Sequence, residues 1–200
     1  MKLVYDYYDL KVLARQVRAK YDLKSPRVLP FDLRRIYSQE GIEIDYWPYR
    51  LKYLRGAFIC DNFGTTVMLA GNLPLDPHVF TMAHELKHFL RDRQLGISYC
   101  DQSNINRSIE IGAEIFAEEL IFPDQYFVQY MQQMNVQRGR CDSNTLVRLK
   151  METRTTLSYA GLAIKAERLR YASTNSLTRV KGWRKLEKLY RESCKEQFQR

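Results

Sequence analysis

An α+β fold is predicted by three features of this 200-residue chain: short β-prone runs between residues 42 and 70, helical patterns after residue 78, and no alternation between the two. With 45% hydrophobic residues the chain is long enough to bury a sizeable core without disulfides or other staples.

Taken in order, residues 2–24 carry Leu10, Leu13, Ala14 and Val17 at spacings of three and four, the period of a helix with one buried stripe. Ser25, Pro26 and Pro30 interrupt that pattern, because the residue before a proline is pushed out of the helical region. Phe31, Asp32 and Leu33 then open a short helix that ends near Gly41. Ile42, Ile44 and Tyr46 alternate with polar neighbours, the period of two of a half-buried strand. Ala57 to Cys60 and Thr65 to Ala70 are two more β-prone runs, joined by a hairpin turn through Asp61, Asn62, Phe63 and Gly64. Gly71, Asn72, Leu73 and Pro74 close the sheet, and helices follow at about 78–92, 105–121, 124–136, 144–153, 156–171 and 180–197.

Charge divides the chain unevenly. Residues 137–200 carry 16 Lys and Arg against 6 Asp and Glu, whereas residues 1–136 carry 16 against 17. A neutral front and a basic back suggest an anionic partner for the tail, such as nucleic acid or an acidic protein; a merely solvated tail explains the charge as well. No apolar run approaches the ~18 residues of a membrane span. The N-terminus alternates charged and apolar residues, unlike a secretory signal, so a cytoplasmic location is expected, without membrane contact. Cys60, Cys100, Cys141 and Cys194 are widely spaced and form no CxxC pair, so isolated thiols are expected rather than a zinc cluster or a disulfide framework.

The chemistry concentrates at His84-Glu85-Leu86-Lys87-His88, an HExxH pattern. Residues four apart share a helix face, so both imidazoles can converge on one metal ion. Glu85 is rotated about 100° from His84, beside the metal without being a ligand, where it can act as general base. Two of the chain's three histidines fall in this motif. The third, His78, points elsewhere on the same helix and is read as structural. Catalytic zinc needs three protein ligands and an open position. Among Glu110, Glu114, Glu118 and Glu119, Glu110 lies nearest the apolar stripe of the next helix, roughly 60–70° from its centre. Glu114, at about 100°, is the fallback, and Glu118 and Glu119, at about 120° or more, are expected on a solvated acidic face. An ion so held would activate a water and polarise a peptide carbonyl, with Glu85 moving the proton to the leaving amine. Zn2+ suits the set best and Mn2+ also fits it. No oxyanion donor is singled out; Tyr99 and Tyr126 are candidates.

The order of these features resembles the ImmA/IrrE family of gluzincin-like metallopeptidases. The resemblance rests on Gly41-Ile42, Gly56, Phe80 to Leu86, and a second block of Glu110, Ala113, Phe116, Ala117, Leu120 and Pro123. Lys87 departs from the family's frequent glycine, at a position expected to face away from the metal. Glu114 replaces its Asn or Asp, a residue that would orient a histidine. The resemblance spans about residues 10–172 and supports Glu110 as third ligand. It implies a minimal zincin-like core over 1–136, a helix-turn-helix-like segment over 137–172 with Thr155 or Thr156 capping its second helix, and a basic helical tail over 173–200. It further implies a metal-dependent endopeptidase that cuts a helix-turn-helix transcriptional repressor in stress response or mobile-element control. The helix at 181–195, with Arg184, Lys185, Lys188 and Arg191, could help dock that repressor or nucleic acid, although the interleaved Glu187, Glu192 and Glu196 also fit an ordinary solvated helix. A different reading is a non-catalytic module that binds DNA or a toxin–antitoxin partner and keeps a structural or vestigial metal.

Overall fold

The computed structural model describes residues 6–48, 55–95, 97–99 and 107–198. Cys100, the first residues of the helices expected at 2–24 and 105–121, and the side chains of Tyr99, Cys194, Lys195 and Glu196 lie outside the described set. The expected α+β class holds, as a minimal zincin-like core plus helices. The chain divides into two compact units, Met1–Ile121 and Phe122–Arg200.

In the first unit, helix α1 (Tyr7–Lys20) starts where the Asp6 carboxylate accepts the Tyr8 N–H at 2.8 Å, and it buries Leu10, Ala14, Val17 and Arg18. Helix α2 (Pro30–Gln39) starts at Pro30 itself, one residue earlier than expected. Proline interrupts a helix interior but fits the first turn, where its missing N–H has no partner to lose. The Asp32 carboxylate accepts the Leu29 N–H at 2.8 Å, and Gly41 at φ 69° reverses the chain into the sheet.

Strands β1 (Ile42–Trp47), β2 (Gly56–Asp61), β3 (Gly64–Ala70) and β4 (Ile97–Tyr99) form a sheet in the order β1-β3-β2-β4. β1 runs parallel to β3, and β2 runs antiparallel to both β3 and β4. The β2–β3 hairpin turns where expected, with Asp61 Oδ1 accepting the Phe63 N–H at 2.8 Å. β1 is an outer strand, so only Ile42 of its alternating residues is fully buried and Tyr46 is exposed. β4 is a strand that the sequence pattern did not predict.

Helix α3 (Leu75–Arg91) packs against β2, β3, α2 and helix α4 (Arg107–Ile121). It is therefore buried on every side from Thr81 to Phe89, although His84, Glu85, Lys87 and His88 are polar. Buried polar groups of this kind are costly unless each finds a partner, so they must pair with one another or with the neighbouring helices. The Tyr37 hydroxyl of α2 donates to the Met82 carbonyl at 2.6 Å, which fixes α3 from one side. On the other side α4 is covered by α1, and the Arg18 guanidinium donates to the Leu120 carbonyl at 2.6 Å. Glu118 and Glu119 are buried, contrary to the expected solvated face. Coverage by α1 explains this, and Arg15 lies 3.7 Å from Glu119.

The second unit is helical: α5 (Asp124–Gln133), α6 (Ser143–Thr153), α7 (Tyr159–Arg168) and α8 (Trp183–Phe198). Its boundary falls before α5, and the rings of Phe122 and Phe127 pack on Tyr130 and Tyr171 of the same unit. Helix α7 is capped by Ser158, whose hydroxyl accepts the Gly161 N–H, not by Thr155 or Thr156. Thr155 is used one step earlier, its hydroxyl accepting the Leu157 N–H while Lys150 donates to the carbonyls of Thr155 and Leu157. Tyr159 stacks on Trp183 at 4.9 Å and its hydroxyl meets Glu187 at 3.0 Å, which seats α8.

Candidate metal centre

One turn of α3 places His84 and His88 side by side, their ring centroids 5.1 Å apart. From the first turn of α4, Glu110 reaches both: its Oε2 lies 3.1 Å from His84 Nε2 and its Oε1 lies 3.7 Å from His88 Nε2. The three residues each offer a ligand atom, and these atoms lie within 4.8 Å of one another. Glu114, the fallback, is exposed and stands outside the cluster. His78 lies apart, in the first turn of α3 with its ring 6.0 Å from Tyr46. Burial and the nearby Arg34 charge hold its imidazole below the ordinary range.

Electrostatics ties the cluster together. Burial alone would push the His84 imidazole down, but the hydrogen bond to Glu110 and the charges of Glu85, Glu110 and Glu114 outweigh it and raise His84 above 6.5. Burial would likewise push the Glu110 carboxyl up, yet the His84 hydrogen bond and the His84, His88 and Lys87 charges hold it below 4.5. His84 and Glu110 thus each favour the charged form of the other, at the position a cation would take.

His88 is oriented from behind. Asp92, the residue that ends α3, accepts from His88 Nδ1 at 2.7 Å, so the ring presents the lone pair of Nε2 to the cluster. That Nε2 is buried and has no hydrogen-bond partner. A buried nitrogen with an open lone pair beside a carboxylate and a second imidazole fits a divalent ion of zinc type, whose usual ligands are these groups. Asp92 escaped the sequence reading, although its i+4 spacing from His88 was a usable signal. Lys87, at the position expected to face away from the metal, is fully buried, its Nζ on Asp92 Oδ2 and on the Ile109 carbonyl.

Glu85 is fully buried at the next position of the helix, on the side facing β2. Gly56 makes room for it: a Cβ there would stand 2.7 Å from Glu85 Oε1 and 2.5 Å from Thr81 Cγ2. Of the two tyrosines considered as oxyanion donors, Tyr99 is on β4 and Tyr126 is in the second unit, its ring against Phe122.

Fold and site together define a metallopeptidase-type protein, a zincin-like sheet and helix pair that brings two histidines and a glutamate to one point. The chain belongs to the M78 peptidase family: the model of the IrrE N-terminal-like domain matches residues 39–172. No curated protein matches it. Among the described residues no helix is long and apolar enough to cross a membrane.

Proposed function

We propose that the protein is a cytoplasmic, zinc-dependent endopeptidase that cleaves a helix-turn-helix transcriptional repressor at a specific site. The observation that carries the catalytic part is the position of Glu85, fully buried in the space left by Gly56, next to the His84, His88 and Glu110 cluster but outside it. A metal that only held the fold together would need no carboxylate so placed.

In this reading His84, His88 and Glu110 hold the ion. When bound, it supplies Lewis-acid activation of a water molecule and of the scissile carbonyl. Glu85 accepts the water's proton and returns it to the departing amine. Asp92 keeps His88 in the tautomer whose Nε2 faces the ion. Two imidazoles and one carboxylate would suit zinc best, with manganese as the second choice.

Family membership supports a peptidase, the repressor is the substrate that the family resemblance implies, and the basic balance of residues 137–200 adds a surface for an anionic partner. Arg184, Lys185, Lys188 and Arg191 of α8 are exposed and offer a basic surface for nucleic acid or an acidic partner. Lys165 and Arg168 of α7 are both held on Asp124, and on α8 Arg191 pairs with Glu187 and Lys188 with Glu192; the four α8 cations are all exposed, so contact with nucleic acid is assigned to α8. Incubating a helix-turn-helix repressor encoded beside this protein with wild type and with Glu85→Gln tests the proposal. Cleavage by the wild type alone is expected; equal cleavage by both would defeat the catalytic assignment of Glu85, and no cleavage by either would favour a binding module.

A further inference from the structure

Lys87 sits between the two histidines in sequence and is fully buried, which is an expensive place for an ammonium group. On the helical wheel it flanks the histidines on the side opposite Glu85, about 160° from that residue. Glu85 therefore faces β2, and Lys87 faces α4. Its Nζ donates to Asp92 Oδ2 at 2.7 Å and to the Ile109 carbonyl at 3.1 Å. The first acceptor is the same carboxylate oxygen that takes the hydrogen bond from His88 Nδ1. The second belongs to the residue immediately before Glu110.

One ammonium thus touches the supports of two ligands on two helices. We propose that Lys87 is a positioning residue for the metal centre, a bracket that holds Asp92 against His88 and holds the first turn of α4 against α3 so that Glu110 reaches both imidazoles. The proposal rests on the metal-site reading above. An apolar side chain of similar length could fill the space between the helices but could hold neither acceptor. Asp92 would then keep His88 as its charged or polar partner on α3 without the ammonium that fixes its position. The Ile109 carbonyl would lose a donor, and the peptide leading into Glu110 would be free to shift against the 3.1 and 3.7 Å spacings that define the cluster.

The test uses Co2+ as the added metal, read by its visible absorption and by its dissociation constant, with the full-length protein as wild type, Lys87→Met and Lys87→Met/Asp92→Asn. The double variant removes both buried charges together and still lacks the Ile109 tether, and Asp92→Asn alone, measured beside it, gives the loss due to the carboxylate that orients His88. Both Lys87 variants are expected to bind Co2+ roughly 10- to 100-fold more weakly than wild type, the usual cost of losing a group that orients a ligand, with a changed absorption band, and the double variant more weakly than Asp92→Asn alone. A role confined to folding would lower the melting temperature and leave the band of the bound ion unaltered. Wild-type affinity and spectrum in Lys87→Met, or a double variant no weaker than Asp92→Asn alone, would overturn the proposal. If the wild type itself takes up no Co2+, the metal-site reading fails and the bracket falls with it, a result distinct from loss in the variants alone.

Discussion

Two fully buried lysines, one in each compact unit, make nearly the same contact for different ends. Lys87 lies 2.7 Å from Asp92 and Lys165 lies 2.6 Å from Asp124. The difference is the third member. Asp92 also bonds His88, whose Nε2 is buried and open. Asp124 also bonds Arg168, a guanidinium that lies partly in solvent. The first set of contacts includes an atom with unused coordinating capacity, while the second ties α7 to α5 and reaches the surface. Burial of a charge is thus no mark of function by itself; the group on which its hydrogen bonds terminate decides.

The largest expected effect falls in the first unit. Glu85→Gln should lower repressor cleavage by about 10²- to 10⁴-fold, the range for losing a general acid–base group, with metal content and melting temperature unchanged. Single-turnover cleavage beside metal analysis measures both. In the second unit the pattern should invert. Lys165→Met should cost about 3 kcal/mol of stability, the low end for breaking a buried pair because Asp124 keeps Arg168. Denaturant melts would show it, with Zn2+ affinity unaltered. Were Lys165→Met to weaken metal binding as well, the contrast between the two pairs would collapse.

A smaller effect should come from the sheet side. Gly56→Ala forces the Glu85 carboxylate or Thr81 to move. Displacement near 1 Å of a catalytic group can cost about 10²-fold, so the variant should bind metal normally and turn over slowly. The mildest prediction concerns pH. Metal binding needs neutral His84, whose imidazole is raised above 6.5. Zn2+ affinity should therefore fall by up to about tenfold per pH unit below that raised value and level off above it. The metal-free protein should instead be most stabilised by this pair at mildly acid pH. Stability from raised His84 is complete below 6.5 and is lost as pH rises through its folded value. Stability from depressed Glu110 is present above 4.5 and is lost as pH falls through its folded value. Their joint contribution should be greatest between about 4.5 and 6.5, which thermal melts of chelator-treated protein over pH 4–9 would reveal.

The parts of this site that could be read from sequence are those fixed by local helical geometry. His84 and His88 share a face at four-residue spacing, and the wheel position of Glu110 against the stripe of Ile109, Ala113 and Phe116 was enough to select it over Glu114. The hairpin was legible because its turn residues are local as well. What escaped depends on tertiary coverage. Hydropathy puts Lys87, Glu118 and Glu119 in solvent, and only the packing of α1 and α3 on α4 buries them. β4 is three residues long, too short for a period of two to register. Thr155 and Thr156 carry good capping chemistry, but the Lys150 bridge to the turn delays the helix to Ser158.

The central claim is that His84, His88 and Glu110 hold one catalytic ion. Measuring Zn2+ stoichiometry and affinity by chelator competition for wild type and Glu110→Ala tests it most directly. One ion per chain is expected in the wild type, with a loss of affinity of about 10-fold or more when the third ligand is removed. Absence of stoichiometric metal in the wild type, or unchanged affinity in Glu110→Ala, would contradict it.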